Sequence, residues 1–333
     1  MEPREIVNCA IEFRCPPRLP VNGYGEASDC VWITTDDVLP PLAGGMPGFD
    51  QWLCRWEKTD LPNMGQVKGH PLNNLEHMKA YPWPEADEPR RYVNVPSRLD
   101  AINADPLLRG RFRICSIFML LWERMQALHG LENCMLDLME DTPAIHELAD
   151  RLVSYDIGFI RNMHRIAGNQ IDSFNFTEDW GTQLDLMVSP RLFRRFFLPR
   201  YQRIFSEVHD AGWHVWMHSC GKINKGISIL IEAGVDVLNM QQPLTNGIDN
   251  IGREFAGKVC FETLCDIQRT LPKGNREEIK NQAMELMREW GTPKGGFILG
   301  DYGDENAIGT AFETKQFMLD VFRDIDPWKK GSW

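Results

Sequence analysis

His218 and Cys220 are the pair in this chain best suited to metal chemistry. The apolar run 213–217 just before them reads as a buried strand, with the pair just past its end. Residues two apart on an extended segment project to the same side. An imidazole and a thiolate meeting at a strand end suit a zinc-sized ion. Zinc holding a substrate heteroatom acts as a Lewis acid and makes that atom a better leaving group. A solitary histidine at a strand end is more often a hydrogen-bonded structural residue, so the pair needs company. Cys265 is the best-placed extra sulfur, just past a later strand, whereas Cys260 lies inside that strand's apolar run.

Other polar residues also follow strand-like runs. They are Glu178 and Asp179; Gln241 and Gln242; Glu262, Cys265 and Asp266; and Asp301, Tyr302 and Asp304. If the strand ends form one rim, these groups surround one pocket. Acidic residues in such places also cap the next helix, and Asp266, Asp301 and Asp304 could do only that. His209 and His214 read as surface or packing residues.

The elements that must position these groups alternate. After about residue 107, strands are expected at 113–117, 171–176, 213–217, 235–239, 258–262 and 296–299. The intervening helices carry start and stop signals. Thr142 with Pro143 and Ser189 with Pro190 are caps followed by proline at the first helical position, and Gly130, Gly168, Gly212 and Gly234 end helices. Pro199 should kink the helix that reaches about Asp210. Further helices are expected over 222–233, 276–290 and about 305–323. Such repetition marks parallel βαβ units. No glycine-rich phosphate fingerprint follows a strand, which favours a (β/α)8 TIM barrel, an α/β fold, over an open doubly wound sheet. Residues 1–105 read as an irregular N-terminal elaboration and 106–333 as the regular βα repeats of the same single domain. Pro16 with Pro17, Pro40 with Pro41 and Gly44 with Gly45 break up the first third and exclude long helices there. A short strand at 30–33 is compatible, and the tryptophans of this third could line an apolar pocket.

The 333 residues are 43% hydrophobic, enough for a full-sized core. A formal charge of -11 with no basic block argues against nucleic acid or an anionic membrane as partner. There is neither a long apolar run nor a leader-like N-terminus, so a cytoplasmic location is expected. The nine cysteines are scattered without framework spacing and read as thiols or metal ligands.

A family resemblance rests on a longer pattern. Glu178, Asp179, Trp180, Gly181, Thr182 and Gln183, then Ser189 and Pro190, Pro199, and His218, Ser219, Cys220 and Gly221 resemble, in that order, the uroporphyrinogen decarboxylase superfamily. So do Glu232 with Ala233, Gly234, Val235 and Asp236; Gln241, Gln242 and Pro243; Asp266, Ile267 and Gln268; Gly295 and Gly296; and Glu305 and Asn306. Arg4, Glu5, Met64, Gly65, Gln66, Pro71 and Leu72 resemble one branch of it. The resemblance implies a single (β/α)8 barrel and one of two chemistries. The decarboxylases bind a polyanionic tetrapyrrole through an arginine-rich N-terminal segment, which this chain lacks. The corrinoid-dependent methyltransferases bind zinc through His-x-Cys and a later cysteine after the last strand. Here that loop reads Leu299, Gly300, Asp301, Tyr302, Gly303 and Asp304, without a cysteine. A glutamate that O-demethylase relatives carry 21 residues before the histidine is also missing, since that position is Phe197.

The resemblance therefore implies a methyltransferase of the O-demethylase-like branch. It would move a methyl group from a small methoxylated donor to the cobalt of a separate corrinoid protein. His218 and Cys220 would hold zinc, with Cys265, Glu262 or Asp301 as the third ligand. Glu178 or Asp179 would position the substrate or act as acid, Gln242 would orient it, and Asp266 completes the candidate catalytic set. Two alternatives remain: a metal-free lyase acting on a small acid, which requires a positively lined pocket, and a barrel that only binds a ligand. A homodimer is the default expectation for a barrel of this size.

Overall fold

The computed structural model describes residues 1–23, 25–33, 48–58 and 65–333. Pro40, Pro41, Gly44, Gly45 and Met64 therefore lie outside the described residues.

Among the described residues ten strands occur in order: β1 Val21–Asn22, β2 Cys30–Ile33, β3 Arg55–Glu57, β4 Gln66–Gly69, β5 Phe112–Ile117, β6 Ser173–Thr177, β7 His214–His218, β8 Val237–Asn239, β9 Cys260–Thr263 and β10 Phe297–Gly300. Eight form one sheet in the order β1-β10-β9-β8-β7-β6-β5-β2, and every pairing in it is parallel. Strands β5 to β10 are buried along nearly their whole length, as expected of parallel strands covered on both faces. The sheet curls until its edges almost meet. The amide of Asp29 donates to the Val21 carbonyl at 2.8 Å, and the Val21 amide donates to the Asp29 carboxylate at 2.9 Å. Trp32 Nε1 reaches Asn22 Oδ1 at 3.3 Å across the same seam. The fold is thus a near-closed TIM-type barrel, with β3 and β4 as an antiparallel hairpin beside it.

The first third is more than an elaboration. It supplies β1 and β2, two of the barrel's eight strands, and two short helices, Pro3–Ile11 and Val95–Ala104. The predicted strand at 30–33 is β2.

The capping signals act as expected. Thr142 Oγ1 accepts from the Ile145 amide, opening the helix Pro143–Ala167 that stops at Gly168. Ser189 Oγ accepts from the Leu192 amide in the same way. Pro199 leaves a more specific mark than a kink. Just before it, Phe193–Phe197 forms a π-helical turn, and the Leu198 amide bonds back to Phe193. Pro199 has no N–H to donate one turn back, and the wider turn absorbs that loss. Gly130, at φ 88°, ends the helix Trp122–His129 as expected, and a separate helix, Leu131–Glu140, follows it. The helix expected over about 305–323 is interrupted. Gly309, at φ 64°, separates the short turn Asn306–Ile308 from Phe312–Ile325.

Trp122 and Trp180 stack in parallel, with ring centroids 5.4 Å apart, and Phe193 and Phe197 pack against Trp180. Each such pair adds about 0.5–1.5 kcal/mol beyond its burial. The cluster clamps the loop after β6 onto two flanking helices, which fixes one wall of the site. Among the described residues no helix is long and apolar enough to cross a membrane.

Candidate metal centre

The loops after β6 and β7 are zipped together by their backbones. The Glu178 amide donates to the His218 carbonyl at 3.0 Å and the Gly181 amide to the Cys220 carbonyl at 3.2 Å. The Trp180 amide donates to Ser219 Oγ at 3.1 Å. Gly181 and Gly221 make this contact possible. A Cβ on Gly221, which sits at φ 77°, would fall 2.1 Å from the Gly181 carbonyl oxygen. No other residue fits there. The consequence is that Asp179 is delivered to the His-x-Cys pair.

Cys220 Sγ lies 3.2 Å from His218 Nε2, and Asp179 Oδ1 lies 3.5 Å from the same nitrogen. One ligand atom from each of the three residues falls within 4.8 Å of the others. Asp179 also accepts the Cys220 amide at 2.7 Å, which fixes its orientation. His218 is the last residue of β7, one position earlier than expected from the sequence.

The histidine's orientation is set from behind. Glu262 is buried and accepts from Asn22 Nδ2 at 2.8 Å, Trp216 Nε1 at 2.7 Å and Asn239 Nδ2 at 2.5 Å. A carboxylate takes only donors, so the amide nitrogen of Asn239 faces it and Oδ1 faces His218. His218 Nδ1 therefore donates to Asn239 Oδ1 at 2.6 Å, which turns Nε2 toward Cys220 and Asp179, where a metal ion would displace its proton. Burial pushes the imidazole down. The sulfur of Cys220, followed by Asp179 and Asn239, outweighs it and holds His218 at about 10. A sulfur, an imidazole nitrogen and a carboxylate oxygen beside an open cavity match the three-ligand, one-vacancy pattern of catalytic zinc.

The cavity above this corner has a volume of about 1260 Å³. Trp32, Trp56, Phe118, Met119, Met187 and Ile267 give it apolar walls, and Asn175, Gln241, Asp301, Tyr302 and Asp304 also face it. Glu123 lines it too, and sequence reasoning missed this residue. One Glu123 carboxyl oxygen is buried without a hydrogen-bond partner. Burial first, then the nearby charges of Asp179 and Glu178, push Glu123 up to about 8, so it holds a proton at neutral pH. The signal available was its place just after β5, in a run that otherwise reads as an ordinary helix start.

Of the predicted site residues, the structure brings together Asp179, His218 and Cys220. Glu178 is fully buried and turned away from the cavity. Its carboxylate accepts the amides of Leu121, Trp122 and Glu123 and the hydroxyl of Tyr201, so it anchors the start of the helix Trp122–His129. Gln242 accepts from Gln183 Nε2 at 3.1 Å, and its neighbour Gln241 faces the cavity instead. Asp266 accepts the amides of Leu244, Gln268 and Arg269, bracing a turn. Cys265 is fully buried beneath the helix Arg276–Trp290 and donates to the Ile279 carbonyl at 3.5 Å. It has no place in the three-residue group. Of the other two candidate third ligands, Glu262 already serves three donors, and Asp301 lies 3.5 Å from Lys315 Nζ.

Comparisons with known proteins bear on this geometry. Residues 115–324 match the family model "Uroporphyrinogen decarboxylase (URO-D)". The chain is 25% identical over 222 residues to a uroporphyrinogen decarboxylase of Nocardia farcinica, an overlap of 66% of this chain but only 57% of that protein's length. Its fold is similar to that of a solved methyltransferase from Methanosarcina mazei, with a TM-score of 0.62, 16% identity, and 82% and 76% of the two chains covered.

Proposed function

Taking as premise that the chain belongs to the uroporphyrinogen decarboxylase (URO-D) family, we propose that it is a metal-assisted methyltransferase. The donor is a small methoxylated aromatic compound and the acceptor is the cobalt of a separate corrinoid protein. The observation that carries this reading is the convergence of Asp179, His218 and Cys220 in a cavity that also has aromatic and aliphatic walls. Zinc bound there would supply Lewis acidity toward the donor oxygen.

The chain's own residues supply the rest. Trp32, Trp56 and Phe118 offer flat apolar faces for an aromatic ring and exclude water around it. Asn239, steadied by Glu262, keeps His218 in one tautomer. Transfer would leave the electron pair of the oxygen–methyl bond on the donor oxygen, and the reduced acceptor would supply the pair for the new bond. Glu123, which holds a proton near neutral pH, is placed to protonate that oxygen. The sequence expectation gave this role to Glu178 or Asp179, and Glu178 is turned away from the cavity.

A lyase acting on a carboxylic acid requires cationic groups to hold its substrate. Among the described residues no lysine or arginine lines the cavity. The test is methyl transfer to reduced cobalamin from a panel of methoxylated aromatics, with metal content measured on the same protein. Metal-dependent transfer that falls with Glu123→Gln supports the proposal. Carbon dioxide release from candidate acids, with no methyl transfer, would replace it with the lyase reading.

A further inference from the structure

Strand β6 buries an amide between two phenylalanines. Phe174 packs on Phe159 and Trp213, and Phe176 on Phe205, so both rings face the helix layer. Alternation then turns Asn175 into the barrel, where it lines the cavity and is only 7% exposed. Register sets its depth. Thr177 pairs with His218, and Asn175 pairs with Trp216 one inward-facing step below, roughly 6–7 Å further down the strand.

Two other asparagines line the same cavity, and both are occupied within the protein. Asn22 donates to Glu262 and accepts from Trp32 Nε1, while Asn239 donates to Glu262 and accepts from His218. Thr177 is occupied as well, its hydroxyl oxygen accepting the Met119 amide at 2.8 Å. The side-chain amide of Asn175 has no hydrogen-bond partner at either end among the described residues. A buried amide is stable only when water or a ligand meets it, and its open side here is the cavity.

The geometry points to Asn175 as the residue that selects the donor, by hydrogen bonding to an uncharged hydroxyl at the end remote from the methoxy group. An amide sets an N–H to donate beside a carbonyl oxygen to accept, and a hydroxyl both accepts and donates. A carboxylate uses only the N–H and sets its charge against the carbonyl oxygen, whereas an ammonium uses only the oxygen. The residues paired with Asn175 on either side, Ser116 and Trp216, are uncharged and supply no counterion at that depth. The inference rests on the proposed methyl transfer only for placing the methoxy end at the metal corner. The selectivity itself follows from the idle amide.

Three probes separate the possibilities: 4-methoxyphenol, 4-methylanisole, which puts a methyl group in place of the hydroxyl, and 4-methoxybenzoate. Their binding to the zinc-loaded full chain is measured by calorimetry without any corrinoid. The phenol is expected to bind about tenfold tighter than 4-methylanisole, against the order that hydrophobicity alone gives, with the benzoate weaker than the phenol. Asn175→Leu and Asn175→Ala should each erase the phenol's advantage. Because the amide bonds nothing within the protein, Asn175→Leu should melt no lower than the wild type. A phenol no tighter than 4-methylanisole, a benzoate tighter than the phenol, or no binding of any probe at millimolar concentration would overturn the inference. So would a preference that survives both substitutions, or a marked fall in melting temperature in both, which would make the amide a structural group. A phenol preference that both substitutions erase, with no methyl transfer to cobalamin, supports the role of Asn175 and removes only the proposed reaction.

Discussion

Two corners of one barrel rim use similar residues to opposite ends. Past β6 and β7, a carboxylate, an imidazole and a thiol turn inward and meet within 4.8 Å. Past β9, Cys265 and Asp266 turn away and hold helices in place. Position after a strand does not separate the two cases. Backbone contact does: the loops after β6 and β7 are welded to each other through Gly181 and Gly221, which brings Asp179 to His218 and Cys220 at the cavity while Glu178 and Trp180 face the core. The loop after β9 runs under the helix Arg276–Trp290, and its cysteine is consumed as a small buried hydrophobe.

This contrast can be broken by substitution. The largest effect is expected from His218→Ala and Cys220→Ala. Each should lower zinc affinity by about a hundredfold or more, read by competition with a chelator, because a first ligand is gone. Glu178→Ala comes next and acts on stability. Four donors lose one buried acceptor, so unfolding should become easier by on the order of 3 kcal/mol or more, measured by denaturant melts. A stable Glu178→Ala protein would mean the helix start does not depend on that carboxylate.

Behind the candidate metal site, Asn239→Ala should cost roughly 10–100-fold in metal affinity by freeing the imidazole to rotate, with the fold intact by circular dichroism. At the β9 corner, Asp266→Ala should cost about 1 kcal/mol of stability, as for a lost cap, without changing metal content. If Asp266→Ala stripped metal while Asn239→Ala did not, the two corners would have to be exchanged in the account.

The contrast also shows what sequence could and could not reveal. Caps at Thr142 and Ser189 were legible because the signal and its effect lie within one turn. The His218-x-Cys220 pair was legible because side-chain alternation is local. Strand β1 was not, since a two-residue strand has no periodicity and exists through its pairing with β10. Glu178 and Asp179 are adjacent and must diverge. Which one faces the cavity depends on Tyr201 and the amides of residues 121–123, far away in the chain. The inward course of Glu123 depends on that same anchor. Its place just past a strand singled out Cys265 as the extra sulfur, whereas the ligand atom that lies within 4.8 Å of those of His218 and Cys220 belongs to Asp179 on the neighbouring loop.

The assignment of Asp179 as third ligand is tested most directly by measuring zinc affinity in Asp179→Asn and Cys265→Ser side by side with the wild-type chain. The account predicts zinc binding near one per chain in the wild type, at least about tenfold weaker binding in Asp179→Asn, and unchanged binding in Cys265→Ser. Loss of zinc in Cys265→Ser with Asp179→Asn unaffected, or no zinc bound by the wild-type chain, would contradict it.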